Sequence, residues 1–285
     1  DFHLKAPLLL GSNSFMDHEI GRVLEVADEV LDEETLMIYT SDHGDAMGAH
    51  RLFAKGPSVY DAIAHIPLIY RLPGRIEAGS VYEGPASHID FVPTLLEYYD
   101  LPKASWTEGV SIWDSLDDPS VQVRDKAFIE FGRYEIDHDG FGGFQPMRAV
   151  YDGRHKLAIH LLSDDEFYDL EKDPDELHNL INDPNYAEIR NELHDAILNW
   201  MNETRDPFRG YYWERRPWRT DAREATWGYT AMTRQREHEP YEPRQLDYAT
   251  GLPMYEATRV KDRSQEQARQ EAELVMKEME ASSDE

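Results

Sequence analysis

Apolar positions recur at helical spacing near the start of the chain and then give way to short apolar runs. Residues 13–31 are predicted to form an amphipathic helix, whose apolar face collects Met16, Ile20, Val23, Leu24, Ala27 and Leu31. Residues 36–40 and 66–71 read as buried strands because they are short, apolar and rich in β-branched and aromatic side chains. A second helix is predicted from Asp90 to Tyr99, with Pro93 tolerated in its first turn. This alternation predicts an α/β sheet.

The pattern changes from about residue 121, where short strand candidates follow one another without long helices between them. These candidates are residues 126–131, 147–151, 156–162 and 166–170. Asp152-Gly153 is a strong hairpin signal, so we predict a small antiparallel sheet, followed by a helix over residues 186–201. Residues 207–253 show little periodicity, and a weak helix is predicted near the end of the chain. The predicted organisation is therefore an α/β part (1–120), a small sheet-plus-helix subdomain (121–206) and an extended tail (207–285).

Charge and cysteine content narrow the possible partners and sites. The chain has 285 residues and a net charge of −28, which would repel a nucleic-acid backbone or an anionic membrane surface. It contains no cysteine, so disulfides and thiolate metal sites are excluded in this chain. No stretch approaches the roughly 20 apolar residues that span a bilayer. Composition leaves the compartment open, and the start at Asp1 suggests a fragment of a longer protein.

Residues 40–56, TSDHGDAMGAHRLFAKG, carry the strongest chemical signal. Asp42 and His43 directly follow a predicted strand, at the edge of an α/β sheet where ligands and catalytic groups collect. Gly44 lets the backbone turn away, and Lys55 lies thirteen residues past Asp42. This arrangement suggests a metal-ligand pair and a cation directed at an anionic group. Taken alone, the tetrapeptide SDHG is equally typical of a capped turn.

The longer order of motifs resembles the C-terminal half of the catalytic domain of the sulfatase family, in the alkaline phosphatase superfamily. The resemblance is carried by SDHGD, GAH, AKG and IPLIYRLPG in that order, and it extends to SHIDFVPTLL and EFYDLEKDPDELHNL. It covers roughly residues 10–205. The fold that it implies is the C-terminal part of an alkaline-phosphatase-like sulfatase domain with a small antiparallel-sheet subdomain, to which this chain adds a C-terminal extension.

The resemblance implies roles for particular residues. Asp42 and His43 correspond to metal ligands, with Ca²⁺ the first choice and Mg²⁺ or Mn²⁺ next, and Lys55 corresponds to the lysine that contacts sulfate oxygens. His50, in the same loop, is a candidate catalytic group that would contact the leaving oxygen or a sugar, although a structural role is an open alternative. Arg133 and His138 fall in a Gly-rich loop that would contribute to recognition of a sulfated sugar or another small polar alcohol.

One departure from the family pattern concerns the nucleophile. The family uses a formylglycine made from Cys or Ser in a short motif, and this chain has neither residue in that context. We therefore expect the N-terminal half of the same protein to supply it, and we expect this chain alone to be inactive. Two alternatives stay open: a phosphonate monoester or phosphodiester hydrolase of the same superfamily, and a non-catalytic assembly fragment.

The tail suggests a further partner. Its aromatic residues are typical of a contact in a homo-oligomer, although packing within the chain is equally compatible with the pattern. They are Tyr211, Tyr212, Trp213 and Trp218.

Overall fold

The computed structural model describes residues 2–104, 107–133, 144–204, 206 and 208–221 of the chain. The α-helices of this part are α1 (Phe2–Val30), α2 (Asp61–Ala64), α3 (Phe91–Tyr98), α4 (Trp113–Asp117), α5 (Ala187–Glu203) and α6 (Tyr211–Glu214). The strands are β1 (Met37–Thr40), β2 (Leu68–Arg71), β3 (Ala127–Arg133), β4 (Phe144–Tyr151), β5 (His155–His160) and β6 (Glu166–Asp169). Single 3-10 turns lie at Ala49–Arg51, His88–Asp90 and Pro184–Tyr186.

The first helix is longer than the sequence pattern predicts. It begins at Phe2 rather than near residue 13 and contains Pro7, because the Leu- and Ala-containing stretch before residue 13 favours helix as well. Its apolar side chains, including Phe15, Val23 and Val30, are largely exposed in this structure.

The two predicted strands of the first part pair with each other. β1 and β2 form a two-stranded antiparallel sheet in which Met37 lies opposite Arg71 and Thr40 opposite Leu68. The apolar pattern indicates that a strand is buried but does not encode the direction of its partner, so this pairing was not predicted. The pair places the carboxyl end of β1 beside the start of β2.

The small antiparallel sheet is confirmed. Its strands follow the order β3-β4-β5-β6, each antiparallel to the next. The turn between β4 and β5 contains Asp152 and Gly153, as predicted: Gly153 has a φ of 97°, and Asp152 Oδ1 accepts the backbone N–H of Arg154 at 2.9 Å. A left-handed φ suits glycine at that turn.

The two faces of this sheet pack against different parts of the chain. Val150, Leu157, Ile159 and Phe167 lie in the main core with side chains from α5 such as Leu193 and Ile197. The opposite face contributes Met147, Ala149 and Ala158 to a second cluster around Val59. The sheet therefore lies between the main core and the segment that follows residues 44–56, the motif loop.

Residues 206 and 208–221 fold back onto the small sheet and α5. Asp206 pairs with the buried Arg148 of β4, Arg216 binds Asp165, and Arg219 binds Asp195 at 2.9 Å. Trp213 is buried in the main core and Trp218 packs against it, whereas Tyr212 is 70% exposed. These two tryptophans thus pack within the chain. The predicted terminal helix lies outside the described residues.

Among the helices that the structure describes, none combines the length and the apolar character needed to cross a bilayer.

Candidate functional site

The motif loop leaves β1 through a turn that only glycine fits. Gly44 follows Asp42 and His43, and its backbone N–H donates to the carbonyl oxygen of Ile63 at 2.8 Å. A Cβ atom at Gly44 would lie 2.1 Å from the carbonyl oxygen of Ala62, which is backbone and has little room to move. The chain therefore passes close to α2 here, and the Asp-His pair is held at the start of the loop.

Asp42 and His43 bring two donor atoms together at the surface. Oδ2 of Asp42 lies 3.4 Å from Nε2 of His43, and the two side chains are 84% and 41% exposed. Nδ1 of His43 lies 2.7 Å from the carbonyl oxygen of Gly44. Because a carbonyl only accepts, Nδ1 carries the hydrogen, and in the neutral imidazole Nε2 then has the lone pair. This arrangement resembles the way that metal-binding histidines are oriented by a second hydrogen bond.

The local backbone also favours the ionised form of Asp42. Oδ1 of Asp42 accepts the backbone N–H of His43 at 2.9 Å. This hydrogen bond is the main cause that lowers the pKa of Asp42 below its ordinary value. A carboxylate and an imidazole with a free lone pair suit a divalent cation. Among the described residues no cluster of three or more His, Cys, Asp or Glu side chains completes such a site.

A second histidine supports this turn from the side. Nε2 of His88 lies 2.8 Å from the carbonyl oxygen of Ser41, the residue before Asp42. His88 belongs to a 3-10 turn closed by a reciprocal pair of hydrogen bonds between Ser87 and Asp90. These contacts give His88 and Asp90 structural roles beside the Asp42–His43 pair.

Asp90 is buried and fully engaged. It accepts the backbone N–H groups of Ser87 at 2.8 Å and Val110 at 2.9 Å, and Arg124 lies 2.9 Å from its Oδ1. Burial raises the pKa of Asp90, and these partners oppose that effect.

The loop between Gly44 and Gly56 is held by its own backbone. Ala46 N–H donates to the Ala54 carbonyl at 3.0 Å, and Asp45 Oδ1 accepts the Met47 N–H at 2.8 Å. Asp45 thus helps to fix the loop through a hydrogen bond to its backbone. Lys55 is exposed at the end of this loop.

His50 lies in the middle of the same loop and has a left-handed backbone conformation, with φ of 53°. Its ring stacks on Tyr60, with centroids 3.6 Å apart and ring planes 8° from parallel. The contact fixes the imidazole plane, and it fits the structural role that the sequence left open as well as a catalytic one.

The structure describes only one of the two residues that are predicted to recognise the substrate. Arg133 is the last residue of β3, where the pairing with β4 becomes irregular. His138 lies outside the described residues. These two assignments stay predictions.

Four residues without a motif of their own contact the loop or the segment that directly follows it: Tyr60, Lys156, Glu166 and Glu176. Lys156 replaces an apolar residue in the otherwise buried strand β5 and is itself buried. A charged residue inside a run of buried positions was the available signal, since such residues are almost always paired.

Comparison with known proteins identifies the family of this chain. Residues 48–203 match the family model described as N-sulphoglucosamine sulphohydrolase, C-terminal. The chain is 44% identical over 247 residues to YidJ, an uncharacterised sulfatase of Escherichia coli K12, and the match covers 87% of this chain and 48% of that protein. The chain thus spans about half the length of that relative.

Solved structures share the fold. The structure of BT4656 in complex with its substrate D-glucosamine-2-N,6-O-disulfate matches with a TM-score of 0.59 and 26% identity, over 67% of this chain and 39% of that one. A phosphonate monoester hydrolase of Agrobacterium radiobacter matches with a TM-score of 0.57 and 30% identity, over 66% of this chain and 39% of that one.

Proposed function

The chain belongs to the family of the N-sulphoglucosamine sulphohydrolase C-terminal domain, and we propose that it works as part of a sulfatase that hydrolyses a sulfate ester. The observation that carries the proposal is the Asp42–His43 pair. Its two donor atoms lie 3.4 Å apart and reach solvent, and the Nδ1 contact to Gly44 leaves Nε2 of His43 available to a metal.

We propose that Asp42 and His43 supply two ligands of a divalent metal site. Ca²⁺ is the first candidate if the missing ligands are oxygen atoms, with Mg²⁺ and Mn²⁺ as the next candidates. A cation bound there would polarise the sulfate oxygens and activate the nucleophile. Gly44, through its close approach to α2, and His88, through the Ser41 carbonyl, keep the two donor atoms together.

Lys55 is proposed to bind the sulfate oxygens and to offset negative charge that develops on the bridging oxygen. His50 is proposed to contact the leaving group, with its ring plane set by Tyr60. Arg133 and His138 are proposed to donate hydrogen bonds to the alcohol part of a sulfated sugar or small molecule.

The formylglycine nucleophile and the remaining metal ligands are proposed to come from an N-terminal half of the same protein. Support comes from this chain's composition, which contains no Cys, and from its coverage of only 48% of the YidJ sulfatase. We also propose that the complete protein is a homo-oligomer, for which the exposed Tyr212 next to the core is a candidate contact.

A phosphonate monoester hydrolase is the second candidate, because a solved enzyme of that class is 30% identical to this chain with a TM-score of 0.57. Sulfate, phosphate and phosphonate esters all present tetrahedral anions to a metal and a lysine. The alcohol side of the substrate and the missing ligands decide between them.

The test uses the complete protein that contains this chain. Its rates on matched aryl sulfate, aryl phosphate and aryl phosphonate esters are measured before and after removal of divalent metal. We expect the sulfate ester to be fastest and metal removal to abolish turnover. Lys55→Ala is expected to lower kcat/KM by about 100- to 1,000-fold, whereas Lys103→Ala, at another exposed lysine, leaves it unchanged.

Two outcomes contradict the proposal. A preference for the phosphonate ester would transfer the function to the second candidate. Full sulfatase activity in the Lys55→Ala variant, or in metal-free protein, would remove the proposed site.

A further inference from the structure

Three consecutive residues after the motif loop, Val59, Tyr60 and Asp61, are docked onto the small antiparallel sheet. Val59 has no exposed surface and packs with Met147, Ala149 and Ala158. These sheet residues are distant from the motif in sequence. The segment that follows Lys55 therefore takes its position from the second part of the chain.

Lys156 fastens this segment through polar contacts. Its ammonium donates to the Val59 carbonyl at 2.8 Å, to Glu176 at 2.7 Å and to the Asp61 carboxylate. Glu176 in turn accepts the Asp61 backbone N–H at 2.7 Å. The side chains of Lys156 and Glu176 are only 3% and 2% exposed. Ion pairs that are this buried and geometrically complete hold a single arrangement, since leaving either partner unpaired is costly.

Tyr60 connects the fastened segment to the loop. Its hydroxyl donates to Glu166 of β6 at 2.8 Å. Its ring stacks on the His50 ring, with centroids 3.6 Å apart. Glu166 is itself fixed by His160 at 3.2 Å and by the Tyr168 hydroxyl at 3.3 Å. One side chain thus touches both the small sheet and the motif loop.

Contacts at two points therefore hold the motif loop in place. Its start is held by the hydrogen bond from the Gly44 N–H to the Ile63 carbonyl, and its middle is held by the stack of His50 on Tyr60. Lys55 lies between these points and the docked segment in the chain. Displacement of His50 and its neighbours would move Lys55 relative to the Asp42–His43 pair.

We propose that Tyr60 is a positioning residue, through which the small sheet sets the place of His50 and of the loop that carries Lys55. The proposal rests on the proposed function, since it assigns Tyr60 a part in the same site. Catalytic rates are sensitive to misplacement of about 1 Å, which can cost about 100-fold. A positioning residue should therefore affect turnover far more than it affects folding.

The ring and the hydroxyl of Tyr60 can be tested separately in the complete protein. Tyr60→Leu removes both contacts, Tyr60→Phe keeps the stack on His50, and Tyr168→Phe is the comparison variant, because its hydroxyl meets the same Glu166 carboxylate and its ring contacts Tyr60 rather than His50. We expect Tyr60→Leu to lower kcat at least tenfold with little change in KM, and Tyr60→Phe and Tyr168→Phe, which both keep the stack on His50, to lose clearly less.

Amide hydrogen exchange over residues 44–56 provides a readout that does not depend on activity. Tyr60→Leu is expected to speed exchange there while the melting temperature changes little. If Tyr60→Leu does not fold, Tyr60→Phe and Glu166→Gln, which each weaken the hydroxyl–carboxylate bond, are expected to speed the same exchange. Unchanged exchange in these variants would overturn the proposal.

The kinetic results separate two kinds of failure. If Lys55→Ala keeps full activity, the proposed function fails, and hydrogen exchange alone decides whether Tyr60 holds the loop. If Lys55→Ala loses activity and Tyr60→Leu keeps kcat within twofold, only the positioning role of Tyr60 is lost. An equal loss in Tyr168→Phe and Tyr60→Leu would assign the effect to the sheet as a whole and would also overturn it.

Discussion

Gly44 has no space for a side chain, and this restricts the residue that can follow the Asp42–His43 pair. In Gly44→Ala the added methyl group would meet the Ala62 carbonyl oxygen at 2.1 Å, so the loop must move away from α2. We expect a loss of about 1–3 kcal/mol in the free energy of unfolding and weaker metal binding. Urea unfolding and calcium titration of the complete protein measure the two effects.

The matched control is Gly21→Ala. Gly21 lies within α1, and nothing stands within 4 Å of an added Cβ there. Alanine at a helical position is expected to be neutral or to stabilise by up to about 1 kcal/mol. Equal stability of the two variants would show that the close approach at Gly44 does not constrain the loop.

His194 makes stability depend on pH. It is fully buried, its Nε2 lies 2.6 Å from the Trp213 carbonyl and its Nδ1 lies 3.0 Å from Arg219. Burial is the main cause that lowers its pKa from 6.5 to about 4. Between those values the unfolded chain binds a proton that the folded chain does not. We therefore expect stability to be complete above pH 6.5 and to fall by about 3 kcal/mol as pH drops to about 4.

Urea unfolding at several pH values measures this slope. His194→Gln keeps a donor and an acceptor but cannot titrate, so it should flatten the slope between pH 4 and 6.5. His178→Gln removes an exposed histidine beside Asp173 and should leave the slope as it was. A slope that persists in His194→Gln would assign the acid sensitivity to other groups.

Among the elements, the small sheet carries a buried ion pair whose loss should be costly. Lys156→Met leaves Glu176 buried without its cation, and burial already raises the pKa of that carboxyl. We expect Lys156→Met to cost about 3–5 kcal/mol in the free energy of unfolding. The double variant with Glu176→Gln should lose less than the two single variants added together, because the stranded charge is gone.

Chemical unfolding of the parent, the two single variants and the double variant gives the free energies for a double-mutant cycle. Additive losses would mean that Lys156 and Glu176 act independently and that the contact to Asp61 carries the effect. Lys172→Met, at a mostly exposed lysine, serves as the surface control and should cost little.

The elements show what sequence patterns can and cannot specify. The strands of the small sheet were predicted within a few residues, because their apolar runs are bounded by a hairpin signal at Asp152 and Gly153. The antiparallel pairing of β1 with β2 was not predicted, since it depends on a partner 30 residues away. The extension of α1 back to Phe2 was also missed, because Asn13 and Ser14 are typical N-cap residues and Pro7 and Gly11 before them disfavour helix.

For the molecule as a whole, the candidate site was predictable where its residues are adjacent and obscure where they are not. Asp42, His43 and Lys55 share one short motif. Tyr60 and Glu166 meet only because the small sheet folds against the segment after that motif, and 106 positions separate them in the chain. The tail shows little periodicity in sequence, and its ion pairs to Asp165 and Asp195 could not be predicted because they depend on how the rest of the chain folds.

The incomplete ligand set leads to an expectation about metal affinity. Ca²⁺ takes six to eight oxygen ligands, and among the described residues only Asp42 and His43 are assigned to it. We therefore expect the 285-residue chain to bind Ca²⁺ at millimolar concentration or more weakly, in the range of the weakest protein sites. The complete protein should bind at least 100-fold more tightly if an N-terminal half adds the missing ligands.

Isothermal titration at about 0.15 M salt measures both affinities while screening the −28 net charge of the chain. Asp42→Asn should remove the tight site from the complete protein, whereas Asp17→Asn, at an exposed carboxylate on α1, should not. Tight, Asp42-dependent binding by the 285-residue chain would show that this part completes the site by itself. Equal weak binding by both proteins would instead remove the metal from the proposed mechanism and leave Lys55 as the remaining candidate for holding the sulfate.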